Sequence, residues 1–214
     1  MTALPSTVAG HPALIEGPAR ARRTLVLAHG AGAAMDTPFM DTIAAGVAAA
    51  GIRVVRFEFP YMAARRQGRR PPPDRLPVLQ RTWHEVVAAL GKPERLVIGG
   101  KSMGGRIASM VADDRGVAGL VCLGYPFHPP GRPDSLRVAH LEALRTPALI
   151  VQGERDPMGS RAEVASYALA PSIRVQWLVD GDHSLKPRKA SGETEAGHLA
   201  TAVEAVATFI RALP

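Results

Sequence analysis

Residues 96–106 read LVIGGKSMGGR, and two chemistries compete for them. Gly100-Lys101-Ser102 is the ending of a phosphate-binding loop. Extended to Gly104, the same residues are Gly-x-Ser-x-Gly, a sharp turn that lifts a nucleophilic serine off the end of a strand. A phosphate loop needs another glycine five residues before Gly100, and position 95 is arginine. The residues between, Leu96 to Gly99, form an apolar strand, which cannot turn its N–H groups inward around an anion. The serine reading has the context it needs. A strand over 95–100 runs into a helical stretch over 103–112, with Ser102 at the corner. Gly100 and Gly104 stand where side chains would collide with a neighbouring strand or helix.

Working outward, five more short runs rich in Val, Leu and Ile read as buried strands: 24–29, 52–57, 117–123, 147–152 and 173–179. Their near-continuous apolar character suits a parallel sheet covered on both faces. Helical patterns fall between them. In 37–50, Phe39, Met40, Ile43 and Val47 share a face, with Pro38 at the start and Gly51 at the stop. In 78–90, Val78, Trp83, Val86, Val87 and Leu90 recur at helical spacing. Shorter helices are expected over 103–112 and 160–170. Leu199, Val203, Val206 and Ile210 mark an amphipathic helix at the end. The alternation predicts a single α/β domain over 23–214, with a mostly parallel sheet of about six strands. Residues 1–22 read as an N-terminal extension. Two irregular segments, 60–76 and 124–135, follow strands, where open α/β sheets bind ligands.

A serine hydroxyl is a weak nucleophile at neutral pH. It needs a base to take its proton and a carboxylate to orient that base. His183, in DGDHSL, follows the last strand. Asp156, in GERDPMG, follows the strand before it. Glu154 and Asp182 are alternative acids, and His128, in the irregular loop, is the rival base. The intermediate also needs N–H donors for its oxyanion. One is Met103, just after the serine at a helix N-terminus, and another is Ala31 or Gly32 after the first strand.

The motifs VLAHGAG, GGKSMGG, GERDPMG and DGDHSL, in this order, resemble the α/β-hydrolase superfamily. The resemblance is to its small branch related to dienelactone hydrolase, and it covers about residues 23 to 212. It implies Ser102 as nucleophile, Asp156 as acid, His183 as base, and Ala31 and Met103 as oxyanion donors. There are departures. Dienelactone hydrolase uses cysteine where this chain has Ser102, so its lactone substrate does not transfer. The antiparallel strands that often open the fold look missing or vestigial before residue 23. No large insertion follows 117–123, so no lipase-type lid is expected, and long acyl chains are poor candidates.

Composition bounds the alternatives. The 214 residues suit one well-buried domain. No apolar run approaches the ~18 residues needed to span a bilayer. The first residues lack the basic start and apolar block of a secretory signal, and cytoplasmic residence is the expectation. Cys122 is the single cysteine and reads as a core residue. Lys101 reads as solvated or structural. No His/Asp/Glu cluster has ligand spacing, so neither a metal nor a cofactor is expected. Of the net charge of +7, segment 61–76 carries +4, as five arginines against Asp74. Arg65 and Arg66, with His128, are candidate contacts for an anionic substrate. Against that, the stretch reads as a solvated loop in an arginine-biased chain. Nucleic acid is disfavoured, because no aromatic residues interleave with the charge. The sequence leaves oligomeric state open. The function expected is hydrolysis of a small ester or thioester. The rival is a non-catalytic binding protein on the same fold.

Overall fold

The apolar runs become strands of one sheet. The computed structural model describes residues 3–214. In chain order the elements are β1 (Leu4–Val8), β2 (His11–Glu16), β3 (Thr24–Ala28), α1 (Pro38–Ala49), β4 (Arg53–Phe57), α2 (Pro60–Arg66) and α3 (Leu76–Leu90). There follow β5 (Leu96–Lys101), α4 (Met103–Ser109), α5 (Ala112–Arg115), β6 (Gly119–Leu123), β7 (Ala148–Gly153), α6 (Arg161–Val164), β8 (Ile173–Leu178) and α7 (Glu195–Ala212). The sheet has eight strands in the order β1-β2-β4-β3-β5-β6-β7-β8. From β4 to β8 every neighbouring pair is parallel.

The two strands beyond the six expected come from the presumed extension. β1 and β2 form an antiparallel hairpin, and β2 pairs antiparallel with β4. The opening strands are therefore present. Residues 1 and 2 of that extension lie outside the described residues. The hairpin was hidden because β1 is an edge strand with four of its five residues exposed, so it carries no apolar run. Its two-residue turn, Ala9-Gly10, has positive φ at both positions. Such turns usually announce themselves with Asn-Gly or Asp-Gly, and here alanine takes the first place.

Residues of one strand alternate between two cores. Leu25 and Leu27 of β3 join Val54, Val97, Val121 and Leu149 against α1 and α7. Val26 and Ala28 point the other way, with Val55, Phe57 and Ile98, against Trp83 of α3 and Ile107 of α4. Period-two alternation buried on both sides explains the unbroken apolar runs. Three helical expectations shift. The 103–112 stretch breaks into α4 and α5. The 160–170 stretch is helical only over α6. The segment 60–76, read as irregular, begins with α2, whose Tyr61, Met62 and Ala64 are buried. Pro60 at its first turn was the available signal. The carboxyl ends of β3, β5, β7 and β8 open on one edge of the sheet, and their loops assemble the site.

Candidate active site

The corner after β5 is built from backbone crowding. Gly100 has φ +153°, and a Cβ there would sit 2.1 Å from the carbonyl oxygen of Ala28 on β3. A Cβ on Gly104 would sit 2.4 Å from the same oxygen. Both glycines let α4 start directly against the sheet. Ser102 between them has φ 50° and ψ −114°, a conformation that non-glycine residues rarely adopt. It is held by its N–H, which donates to Leu123 O (3.0 Å), and by its carbonyl, which accepts from Arg106 N (3.0 Å).

This turn aims the Ser102 hydroxyl at the loop after β8. Ser102 Oγ lies 2.8 Å from His183 Nε2, and His183 Nδ1 lies 2.7 Å from Asp156 Oδ2. Because an ionised carboxylate only accepts, Nδ1 carries the proton and Nε2 is left to accept from the serine hydroxyl. Asp156 is fully buried. Its Oδ2 also accepts from Gln152 Nε2 (2.8 Å), and its Oδ1 accepts from Met158 N (2.8 Å). Three donors, Gln152, Met158 and His183, thus hold the buried Asp156 carboxylate in one orientation, and Gln152 also donates to Tyr125 O and Gly159 O. The alternative carboxylates are occupied elsewhere. Glu154 binds Arg161, and Asp182 accepts from the N–H groups of Ser184 and Lys186 in its own turn.

The loop after β3 faces the serine from the other side, and two side chains brace it. His29 is buried, its Nδ1 2.7 Å from Gly30 O, while its Nε2 accepts from Phe59 N (3.2 Å). The carbonyl can only accept, which fixes the neutral tautomer, and burial lowers the pKa in the same sense. The Tyr61 hydroxyl donates to Ala31 O (2.9 Å) and lies 3.2 Å from Gly30 O. With these carbonyls tied down, the Ala31 peptide has a set orientation. The Met103 N–H, at the first position of α4, has no acceptor within its helix. Lys101 reaches across to the His183 carbonyl at 2.5 Å. Burial pushes its ammonium down to about 8, partly offset by Asp156 and Asp182.

These groups surround a cavity of about 490 Å³. Gly30, Ala31, Ser102, Met103 and His183 line it, and so do Arg106, Pro126, Pro130, Arg137 and Met158. Three expected contacts do not line it. His128 is buried, with Nδ1 on Pro129 O (2.9 Å) and Nε2 3.5 Å from Glu163 of α6. Arg65 donates to Pro71 O and lies over the Tyr61 ring at 5.1 Å. Arg66 grips the fully buried Glu58 with two contacts of 2.7 Å and reaches Asp36. Those carboxylates raise the Arg66 pKa. Neither arginine lines the cavity: Arg66 is held by the buried Glu58, which needs a counter-charge, and Arg65 by the Pro71 carbonyl and the Tyr61 ring. Sequence reasoning missed Tyr61, Gln152, Arg106 and Arg137. Only Arg106 carried a signal, its position one helical turn after Ser102.

No helix among the described residues is long and apolar enough to cross a membrane. Among the solved structures similar to this chain is a dienelactone hydrolase from Anabaena variabilis. It has a TM-score of 0.73 and 19% identity over 99% of this chain and 97% of the other. Est1E from Butyrivibrio proteoclasticus has a TM-score of 0.72 and 16% identity, covering 99% and 98%. XC6422 from Xanthomonas campestris, described as an α/β serine hydrolase without a lid, has a TM-score of 0.68 and 17% identity, covering 100% and 96%. At such identities the likeness is one of fold. A family model described as an alpha/beta hydrolase domain matches residues 21–211. A strand-to-helix turn carrying Ser102, at the carboxyl edge of an eight-stranded α/β sheet, thus sits in a chain that belongs to the alpha/beta hydrolase family.

Proposed function

We propose that this protein is a serine hydrolase of the carboxylesterase type, cleaving a small ester or thioester through an acyl-enzyme intermediate. The observation that carries the reading is the unbroken hydrogen-bond chain from Ser102 Oγ through His183 to the buried Asp156, opening on a cavity. Ser102 Oγ bonds to the acyl carbon while its proton passes to His183 Nε2. Asp156 stabilises the imidazolium that forms, and the N–H groups of Ala31 and Met103 receive the oxyanion. The C–O or C–S bond then breaks, and the leaving group takes the proton from His183. In the second half, water gives a proton to His183 and attacks the same carbon; the bond from that carbon to Ser102 Oγ then breaks as His183 returns the proton to Oγ, releasing a carboxylic acid and free Ser102.

A fluorophosphonate probe tests this directly, because it reacts only with an activated serine. The expected result is one phosphonyl group on the intact protein, mapped to Ser102 and lost in Ser102→Ala and His183→Ala. An unlabelled, correctly folded native protein would instead favour a binding role on the same fold.

A further inference from the structure

The cavity beside Ser102 contains two arginines that the proposed chemistry does not use. Arg106 stands one turn into α4, its N–H bonded to the Ser102 carbonyl, so its side chain leaves the helix on the face that Ser102 begins. Arg137 comes from the long connection between β6 and β7, which Arg137 N joins by donating to Phe127 O (2.7 Å). Both are half-buried and both line the cavity.

Neither guanidinium has a carboxylate partner among the described residues. Several sheltered arginines elsewhere do have one, although Arg23 and Arg65 donate to backbone carbonyls instead. Arg56 meets Glu16 and Asp41, Arg66 meets Glu58 and Asp36, and Arg155 meets Asp180. Among the described residues, the one side-chain acceptor near the Arg106 guanidinium is the Met110 thioether at 4.0 Å, a poor acceptor. His140, between Ser109 and Tyr125, has its pKa lowered by burial and by the charge of Arg106. The Arg137 pKa is likewise lowered, first by burial and then by Arg106. Two like charges, partly withdrawn from water and repelling one another on a cavity wall, are a cost that an incoming anion removes. Lys101 also lines the cavity, with its ammonium donating to the His183 carbonyl.

We propose that Arg106 and Arg137 form an anion-binding subsite, so that the compound held next to Ser102 carries an oxyanion, carboxylate or phosphate, away from the bond to be cleaved. The guanidinium fork suits such a group, which it binds through two parallel N–H donors. This deepens the serine-hydrolase reading and rests on it for the word substrate, but the subsite itself is a binding claim and can be tested without turnover.

The binding test uses the Ser102→Ala protein with monomethyl glutarate and with methyl phosphate, followed by calorimetry. One of the two should bind, and the tighter one identifies the group. Adding Arg106→Gln or Arg137→Gln should raise Kd about tenfold each. Arg137→Lys should fall between, keeping the charge and losing the fork. Arg69→Gln, which removes the same charge from the exposed stretch outside the cavity, should leave Kd within about twofold. Binding by neither probe, or equal weakening by Arg69→Gln, overturns the subsite. The kinetic test compares p-nitrophenyl hemisuccinate with p-nitrophenyl butyrate on the native protein. The kcat/KM ratio should exceed one at low salt and fall toward one in both cavity variants and at high ionic strength. Anion binding in a protein inert to esters and to fluorophosphonate would keep the subsite and sink the hydrolase reading. Ester turnover with no anion preference and no binding would do the reverse.

Discussion

At Ser102 the backbone is strained and the residues around it have no room to change. Gly104→Ala would drive a methyl group to 2.4 Å from Ala28 O, and a backbone oxygen cannot swing aside as a side chain can. The variant should lose esterase activity and several kcal/mol of stability, read by urea unfolding and p-nitrophenyl acetate turnover. Ser102→Ala fits its space, so it should lose turnover by several orders of magnitude while the unfolding midpoint stays close to the parent. Lys101 makes a different prediction. Its ammonium is depressed to about 8, so charging it opposes folding. That cost is present in full below about pH 8. It fades as pH rises toward the unfolded value of about 10.4, because there the unfolded chain binds more protons. The stability difference between native protein and Lys101→Met should therefore shift in favour of the native protein across pH 8–10, measured by denaturant unfolding. A difference independent of pH would mean the ammonium is not depressed.

Elements act on the site through a few braces. α2 supplies Tyr61, whose hydroxyl holds the carbonyls of Gly30 and Ala31. Tyr61→Phe keeps the ring beneath Arg65 and removes only that tether. The loss to stability should be about 1 kcal/mol. If the Ala31 N–H receives the oxyanion, kcat should fall while KM changes little, since the donor matters only once charge develops. An equal rise in KM would assign Tyr61 to substrate binding. The hairpin is fastened by a buried ion pair, Glu16 on β2 with Arg56 on β4 at 2.9 Å. Glu16→Ala strands a buried guanidinium. It should cost about 3 kcal/mol, at the low end for a broken buried pair because Asp41 still meets Arg56. Chemical denaturation of the purified variant checks this.

For the whole molecule, the connection from β6 to β7 contributes Pro126, Pro130 and Arg137 to the cavity rim, and its helical content is the single three-residue turn Ala139–Leu141. Specificity then rests on fixed walls. Across p-nitrophenyl esters, kcat/KM should decline from butyrate to dodecanoate, with no jump in rate at the micelle threshold. A jump would reveal interfacial opening that this architecture does not provide. The charge excess also takes a new meaning at this scale. The arginine run of 61–76 is partly spent on Glu58, Asp36 and the Pro71 carbonyl, while the guanidinium groups facing the cavity come from α4 and from the β6–β7 connection.

What the sequence determined by itself was whatever depends on neighbours within a turn or a strand. The six parallel strands, the helices α1, α3 and α7, and the glycine-flanked corner at Ser102 follow from apolar period, caps and local crowding, so they were legible. Ser102, Asp156 and His183 could be nominated because each follows a strand whose end must lie on one edge of a parallel sheet. The tertiary structure alone decided which carboxylate meets His183, since Glu154, Asp156 and Asp182 occupy equivalent loop ends and differ only in where their side chains turn. It also decided that β1 and β2 join the sheet, because the exposed edge strand β1 carries no apolar signature and β2 is held by backbone pairing to β4 some forty residues away. And it decided the fate of the arginines. Charge in a sequence is a count, whereas pairing depends on distances: Arg65 and Arg66 meet acceptors, and Arg106 and Arg137 line the cavity with no carboxylate partner among the described residues.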